Sequence, residues 1–190
     1  MVMGLLALVG QIREDLATHQ HDWTRPGFRA LAVHRFGNWR MGIRPKVLRA
    51  PLSVGYRAME RFCRNYYGIE LPYSAKIGRR VVVEHQGDIV VHGSAVVGDE
   101  CVLRQGVTIG ARTREEHAEA PVLGKGVDVG AGAKILGAVH VGDGASIGAN
   151  AVVLADVPDG GLAVGVPAKV ITREQRDRKR RTEPVDGGDA

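Results

Sequence analysis

Phenylalanine is scarce in this chain, with three residues in 190, and Phe, Trp and Tyr together make up 5% against 26 glycines. Such a composition cannot fill a thick globular core with large rings. It suits a narrow column packed with aliphatic side chains. Cysteine is scarcer still: Cys63 and Cys101 are too few for a disulfide framework, and a reduced, cytoplasmic setting is the default. Cys101 falls in phase with Ala95 and Val107, which marks it as a small core residue. No apolar run can span a bilayer. The opening, Met1 to Val9, is too short, has no Lys or Arg before it, lacks a clear cleavage site and reads as the start of an amphipathic helix. The charge is +5, and six of the nine residues from Arg173 to Arg181 are basic. With Pro184, Gly187 and Gly188 following, residues 172–190 read as a solvated, disordered tail. Nucleic-acid binding would want a basic face interleaved with aromatics, and none is visible.

What the chain does have is a strict period. Leu123, Val129, Ile135, Val141, Ile147 and Val153 stand six apart, and two places before each lies a smaller or slimmer residue: Pro121, Val127, Ala133, Val139, Ala145 and Ala151. Six fits neither a helix nor an alternating strand. It fits a parallel β-helix in which each hexapeptide forms one short face and three faces close a coil. The same spacing links Ile77, Val83 and Ile89, shifts by two, and resumes through Val91, Val97, Leu103 and Ile109. Between Ile109 and Leu123 the count is 14, and residues 111–121 read as an excursion from the prism. A closing coil follows at residues 162–171, so 75–171 makes four to five coils.

Residues 1–69 read as a helical segment. Leu5, Leu8, Val9, Ile12 and Leu16 form one stripe, with Arg13, Glu14 and Asp15 on the other side. Residues 22–27 break it, and a second helix carries Phe28, Leu31 and Trp39. Pro45 and Pro51 interrupt before a third helix that ends at Gly68.

The prism resembles the hexapeptide-repeat acyltransferases, closest to the serine O-acetyltransferases. The resemblance rests on Glu84-His85, Gly87-Asp88-Ile89-Val90-Val91, Gln105-Gly106-Val107-Thr108-Ile109-Gly110, Gly130-Ala131-Gly132-Ala133-Lys134-Ile135-Leu136-Gly137, Ile147-Gly148-Ala149, and the segment from Ala163 to Lys169. It implies a mainly β fold, a left-handed parallel β-helix of hexapeptide repeats with an N-terminal α-helical segment. It also implies acetyl-CoA as co-substrate, no metal, and active sites between the subunits of a homotrimer. An alcohol attacking a thioester needs a base, and His85 matches the family's catalytic His. Glu70 matches the acid that orients it, on a stem one methylene longer than the family's Asp. For acetyl-CoA the resemblance points to Gly110, Ala111, Ala131 and Ala149 along the pantetheine arm, and to Lys134 and Lys169 for the phosphates.

The acceptor side departs from the family. Glu119 stands where the Arg that holds the serine carboxylate belongs, Ala120 replaces a second His, and Glu84 replaces an Asp. His117 lies three places early, and Arg112 or Arg114 would have to swing in to supply the cation. An acid where a carboxylate binds is repulsive. The expectation is therefore O-acetylation of a sugar or another non-serine alcohol, with Glu84, His117 and Glu119 facing the acceptor. L-Serine is the alternative. Two further classes stay open: a non-catalytic scaffold, and a zinc hydratase built from His85, His92, His117 and His140.

Overall fold

The computed structural model describes residues 4–113, 115 and 119–182, with side chains to 178. Three helices open it: α1 (Leu5–Thr18), α2 (Pro26–Met41) and α3 (Lys46–Phe62). The last runs on into a π-helical turn, Cys63–Tyr67, which Gly68 ends in the left-handed region at φ 62°. Pro26 opens α2, where a missing N–H costs nothing. Pro51 does not interrupt the third helix, as its residue type suggests, but lies inside α3. It is exposed there, and Tyr56 and Cys63 pack inward from the same helix.

From Ile69 onward the chain winds through strands of two or three residues on three parallel faces. The first face stacks Ile69–Glu70, Ile89–Val91, Thr108–Gly110, Lys134–Leu136 and Val152–Val153. The second stacks Lys76–Ile77, Val96–Val97, Val122–Leu123 and His140–Val141. The third stacks Val82–Val83, Val102–Leu103, Asp128–Val129, Ser146–Ile147 and Leu162–Val164, then closes with Lys169–Ile171 running antiparallel. This is a parallel β-helix of four complete coils and a closing fifth.

The six-residue period builds the core directly. Leu123, Val129, Ile135, Val141, Ile147 and Val153 all point inward at 3% exposure or less, each side chain worth roughly 1.5–3 kcal/mol of burial. Cys101 is fully buried among them, and burial pushes its thiol pKa up to about 11. Glycine at the face ends lets successive coils touch: a Cβ on Gly98 would come within 2.2 Å of the Gly124 carbonyl oxygen. The register records every interruption. Val82 pairs with Val102, Val102 with Asp128 and Asp128 with Ser146, steps of 20, 26 and 18 residues. The first step carries two extra residues, and the second carries the excursion.

The helical layer docks on the first coil through buried polar groups. Arg35 of α2 meets Asp15 of α1 at 3.0 Å, both side chains at 3% exposure or less, and donates to the carbonyls of Ile77 (2.7 Å) and Gly78 (2.6 Å). Asp15 therefore faces inward, not to solvent as its charge suggests, and Leu5, Leu6 and Val9 are the exposed large apolar residues of α1. His34 donates from Nδ1 to the Pro72 carbonyl at 3.0 Å, and Asn38 donates to Nε2 at 3.0 Å. Burial, with help from the neighbouring Arg35, holds the His34 pKa down to about 4.

The segment expected to be a disordered tail begins instead as helix α4 (Arg173–Thr182). Thr172 and Gln175 form a reciprocal capping box: Gln175 N–H donates to Thr172 Oγ1 at 3.3 Å and Thr172 N–H to Gln175 Oε1 at 2.9 Å. Arg176 then donates to the Gly160 carbonyl at 3.1 Å, tying the helix to the end of the prism. Residues 183–190 of that expected tail lie outside the described residues.

Candidate active site

One corner of the prism, where the chain passes from the third face to the first, holds Glu84, His85, Ala131 and Ala149. In successive coils it is built by residues 84–88, 104–107, 130–133 and 148–151. Backbone hydrogen bonds of 2.8 Å stack them: Gly106 N–H to Gly87 O, Gly132 N–H to Gln105 O, and Asn150 N–H to Ala131 O. Glu84 N–H donates to Leu103 O at 2.9 Å, so Glu84 sits over Arg104 while Gly87 sits over Gln105. His85 and Gln86 are therefore the two surplus residues of the first coil. They form a bulge, with His85 at φ 64° and its side chain exposed. Ala131 and Ala149 lie on the same corner, directly below.

Glu70 belongs to the strand that lies along the bulge. Tyr67 and Gly68 accept hydrogen bonds of 2.8 Å from Gly87 and Ile89, and Glu70 pairs with Val90, so the acid stands half-buried beside the strand that follows His85. No hydrogen bond joins Glu70 to His85 among the described residues. Glu70, Val90, Thr108, Lys134 and Val152 form one outward row on the first face. Lys134 donates its ammonium to the Gly106 carbonyl on the His85 corner.

Glu84 and His85 line a cavity of about 410 Å³ together with Val83 and with Gln20, Arg25, Pro26 and Gly27 of the α1–α2 turn. Two contacts press that turn onto the prism. His19 Nε2 accepts from Val83 N–H at 3.3 Å, and a Cβ on Gly27 would come within 2.0 Å of the Val83 carbonyl oxygen. Arg25 is the one Lys or Arg among the lining residues. It donates to Gln20 Oε1 at 2.6 Å and lies 3.8 Å from the Asp22 carboxylate. Glu84 is held from the other side by Arg104 at 3.0 Å, and Arg104 also reaches Asp128. Those bonds, Asp128 first, push the Arg104 pKa up. The sequence reading missed Arg25, Gln20 and Arg104. The Arg104 pairing is implicit in the 20-residue step between the first two coils, but Arg25 carries no such signal.

The remaining expected residues lie elsewhere. Gly110 ends a first-face strand and opens the excursion with Ala111, at the edge of that face away from the His85 corner. Lys169 is exposed on the closing antiparallel strand. Glu119 is exposed at the end of the excursion, whereas His117 and Arg114 lie outside the described residues. Arg112 is committed elsewhere, donating to the Leu154 carbonyl at 2.8 Å. Among the described residues no three His, Cys, Asp or Glu side chains come together as metal ligands.

No protein-family profile matches the chain. Against curated proteins it is 44% identical over 119 residues to a serine acetyltransferase of Helicobacter pylori, a match covering 63% of this chain and 70% of that protein. The chain belongs to the serine acetyltransferase family. A serine acetyltransferase of Synechococcus elongatus is 37% identical over 148 residues, 78% of this chain, and the match spans only 58% of its length. Among solved structures, the coenzyme A complex of Brucella abortus serine acetyltransferase superposes with a TM-score of 0.74 at 26% identity, covering 88% of this chain and 68% of that one. The soybean enzyme complexed with serine gives 0.72 at 28% identity, over 86% and 69%. These neighbours make the prism a left-handed parallel β-helix, the serine acetyltransferase fold.

Proposed function

We propose that this protein transfers an acetyl group from acetyl-CoA to the hydroxyl of L-serine, with His85 as general base. The observation that carries the reading is the bulge that lifts His85 out of the repeat and into a cavity also lined by a cation, above a corner kept small by Ala131 and Ala149. A neutral His85 ring nitrogen takes the proton of the serine hydroxyl as its oxygen attacks the thioester carbonyl. The new C–O bond forms, the C–S bond of the tetrahedral adduct breaks, and the same proton passes from His85 to the departing thiolate. Glu70 orients the ring from the neighbouring strand. The pantetheine arm follows Ala131 and Ala149, and Gly110 and Ala111 contribute across the interface of a homotrimer, with Lys134 and Lys169 toward the phosphates.

The names of the relatives support serine as acceptor, better than they support the sugar preferred from sequence. Arg25 answers the objection raised by Glu119: it supplies a guanidinium for the serine carboxylate from the helical layer instead of from the excursion. Glu84 lines the same cavity and is its one carboxylate, the group available there for the serine ammonium. One observation favours a neutral sugar hydroxyl as the second reading, namely the exposed acid Glu119 at the end of the excursion.

Thiol release by the purified chain, given acetyl-CoA with L-serine or with a sugar, separates the two. His85→Asn keeps a residue that tolerates positive φ, and it should lower kcat by about 10²–10⁴ with the oligomer intact. Arg25→Ala should raise the KM for serine roughly tenfold or more with little change in kcat. Turnover of the sugar alone sinks the serine assignment while leaving His85 in place. An undiminished His85→Asn enzyme sinks the base assignment.

A further inference from the structure

The outer face of α3 is built the wrong way round for a helix of a water-soluble layer. Tyr56 and Cys63 turn inward, and the opposite side presents Val47 at 83%, Leu48 at 61% and Val54 at 59% exposure. At 100° per residue, Val47, Pro51, Val54, Ala58 and Phe62 fall within a sector of about 80°. Lys46, Arg57 and Arg64, all exposed, run along one flank of that sector, and exposed Arg61 falls between them and the apolar strip. Residues 46–67 contain five basic side chains and a single acid, Glu60, which is half-buried.

The strip continues into an apolar cavity of about 540 Å³ between α2 and α3. Phe28, Val33, Met59, Phe62 and Tyr67 line it, with exposed Trp23 at its rim. Its one charged lining residue, Arg29, lies 5.0 Å over the Trp23 ring and donates to the Tyr67 hydroxyl at 2.8 Å. No helix among the described residues is long and apolar enough to cross a membrane.

We propose that α3 is a peripheral docking helix for an anionic phospholipid surface. An occupant of this face has to be apolar along the strip and negative along its flank. A second copy of the same face would set two basic flanks against each other, which is repulsive. The strip itself is aliphatic along Val47, Pro51, Val54 and Ala58, without the Trp, Tyr or Arg anchors that dominate protein interfaces. A lipid interface matches both parts: the strip sinks to the level of the acyl chains, the basic stems extend along it, and their heads reach the phosphates. The groove between α2 and α3 takes an acyl chain. The inference is independent of the acetyl acceptor.

Sedimentation of the full chain with phosphatidylcholine vesicles, with and without phosphatidylglycerol, tests it. Binding should require phosphatidylglycerol and weaken as salt is raised, because exposed charges are screened. The double variant Val47→Glu/Val54→Glu touches only exposed positions, so the fold should survive by circular dichroism while vesicle affinity falls roughly tenfold or more. Arg57→Glu should lower the affinity by at least about fivefold, the worth of one cation near an anionic surface. Equal binding to neutral vesicles, no binding to either, or no effect of the double variant each overturns the proposal. If the double variant instead lowers the mass in light scattering and leaves vesicle binding unchanged, the face is a contact between copies and the proposal likewise falls.

Discussion

Replacing Arg35 by Met should detach the helical layer from the prism while leaving the prism folded. The guanidinium makes four contacts: to Asp15 at 3.0 and 3.4 Å, and to the Ile77 and Gly78 carbonyls at 2.7 and 2.6 Å. Its removal leaves the Asp15 carboxylate, 1% exposed, without its counter-charge and two first-coil carbonyls without this donor. Breaking one side of a buried pair costs about 3–5 kcal/mol. At about 2–4 °C per kcal/mol for a chain of this size, the helical layer should melt roughly 6–20 °C earlier. Both tryptophans, Trp23 and Trp39, lie in that layer, so their fluorescence reports it alone, whereas far-ultraviolet circular dichroism includes the strands. In Arg35→Met the fluorescence transition should separate from the later strand transition. Adding Asp15→Leu removes the stranded carboxylate and should recover roughly half of the loss, leaving about 1–3 kcal/mol for the carbonyl bonds. A fluorescence midpoint within about 2 °C of the parent would refute the clasp.

Two further predictions concern other groups. His34 has its pKa lowered from 6.5 to about 4, so the unfolded chain binds a proton that the folded one refuses. Its contribution is complete above pH 6.5 and is lost as pH falls toward 4, at a cost of about 3 kcal/mol. Urea midpoints across that window should fall less steeply in His34→Gln. On the His85 corner, Ala149→Trp should raise the KM for acetyl-CoA roughly tenfold or more, with an unchanged melting temperature because Ala149 is exposed. An unaltered KM would remove that corner from the pantetheine path.

The prism was legible because its signal is covalent in the chain. A residue every six positions must point inward if three short faces close a coil, and each one from Leu123 to Val153 does. The helices were legible as elements but not by their faces. Asp15 reads as solvent-facing from its charge, yet it is buried because a guanidinium 20 residues away neutralises it, and no local pattern announces such a partner. The fate of residues 173–182 was legible in principle. Thr172 and Gln175 stand at capping-box spacing, and the basic run that follows obscures that signal. In the site, Ala131 and Ala149 share a corner as the 18-residue period requires, whereas His85 sits on a bulge that interrupts that period. Arg25 could not be foreseen, because it enters from another layer.

That last point changes what the helical layer is for. On the proposed mechanism the repeat alone supplies His85 on its bulge and the corner of Ala131 and Ala149, but it puts Glu119 where the family resemblance would place a carboxylate-binding Arg. The α1–α2 turn carries Arg25 to the cavity, and His19 and Gly27 pack that turn against Val83. If Arg25 grips the acceptor, loosening the clasp at Arg35 should raise the KM for serine well below the temperature at which the strands unfold, with the KM for acetyl-CoA unmoved. If the layer is only a cap, Arg35→Met should lose both affinities together, at its melting point.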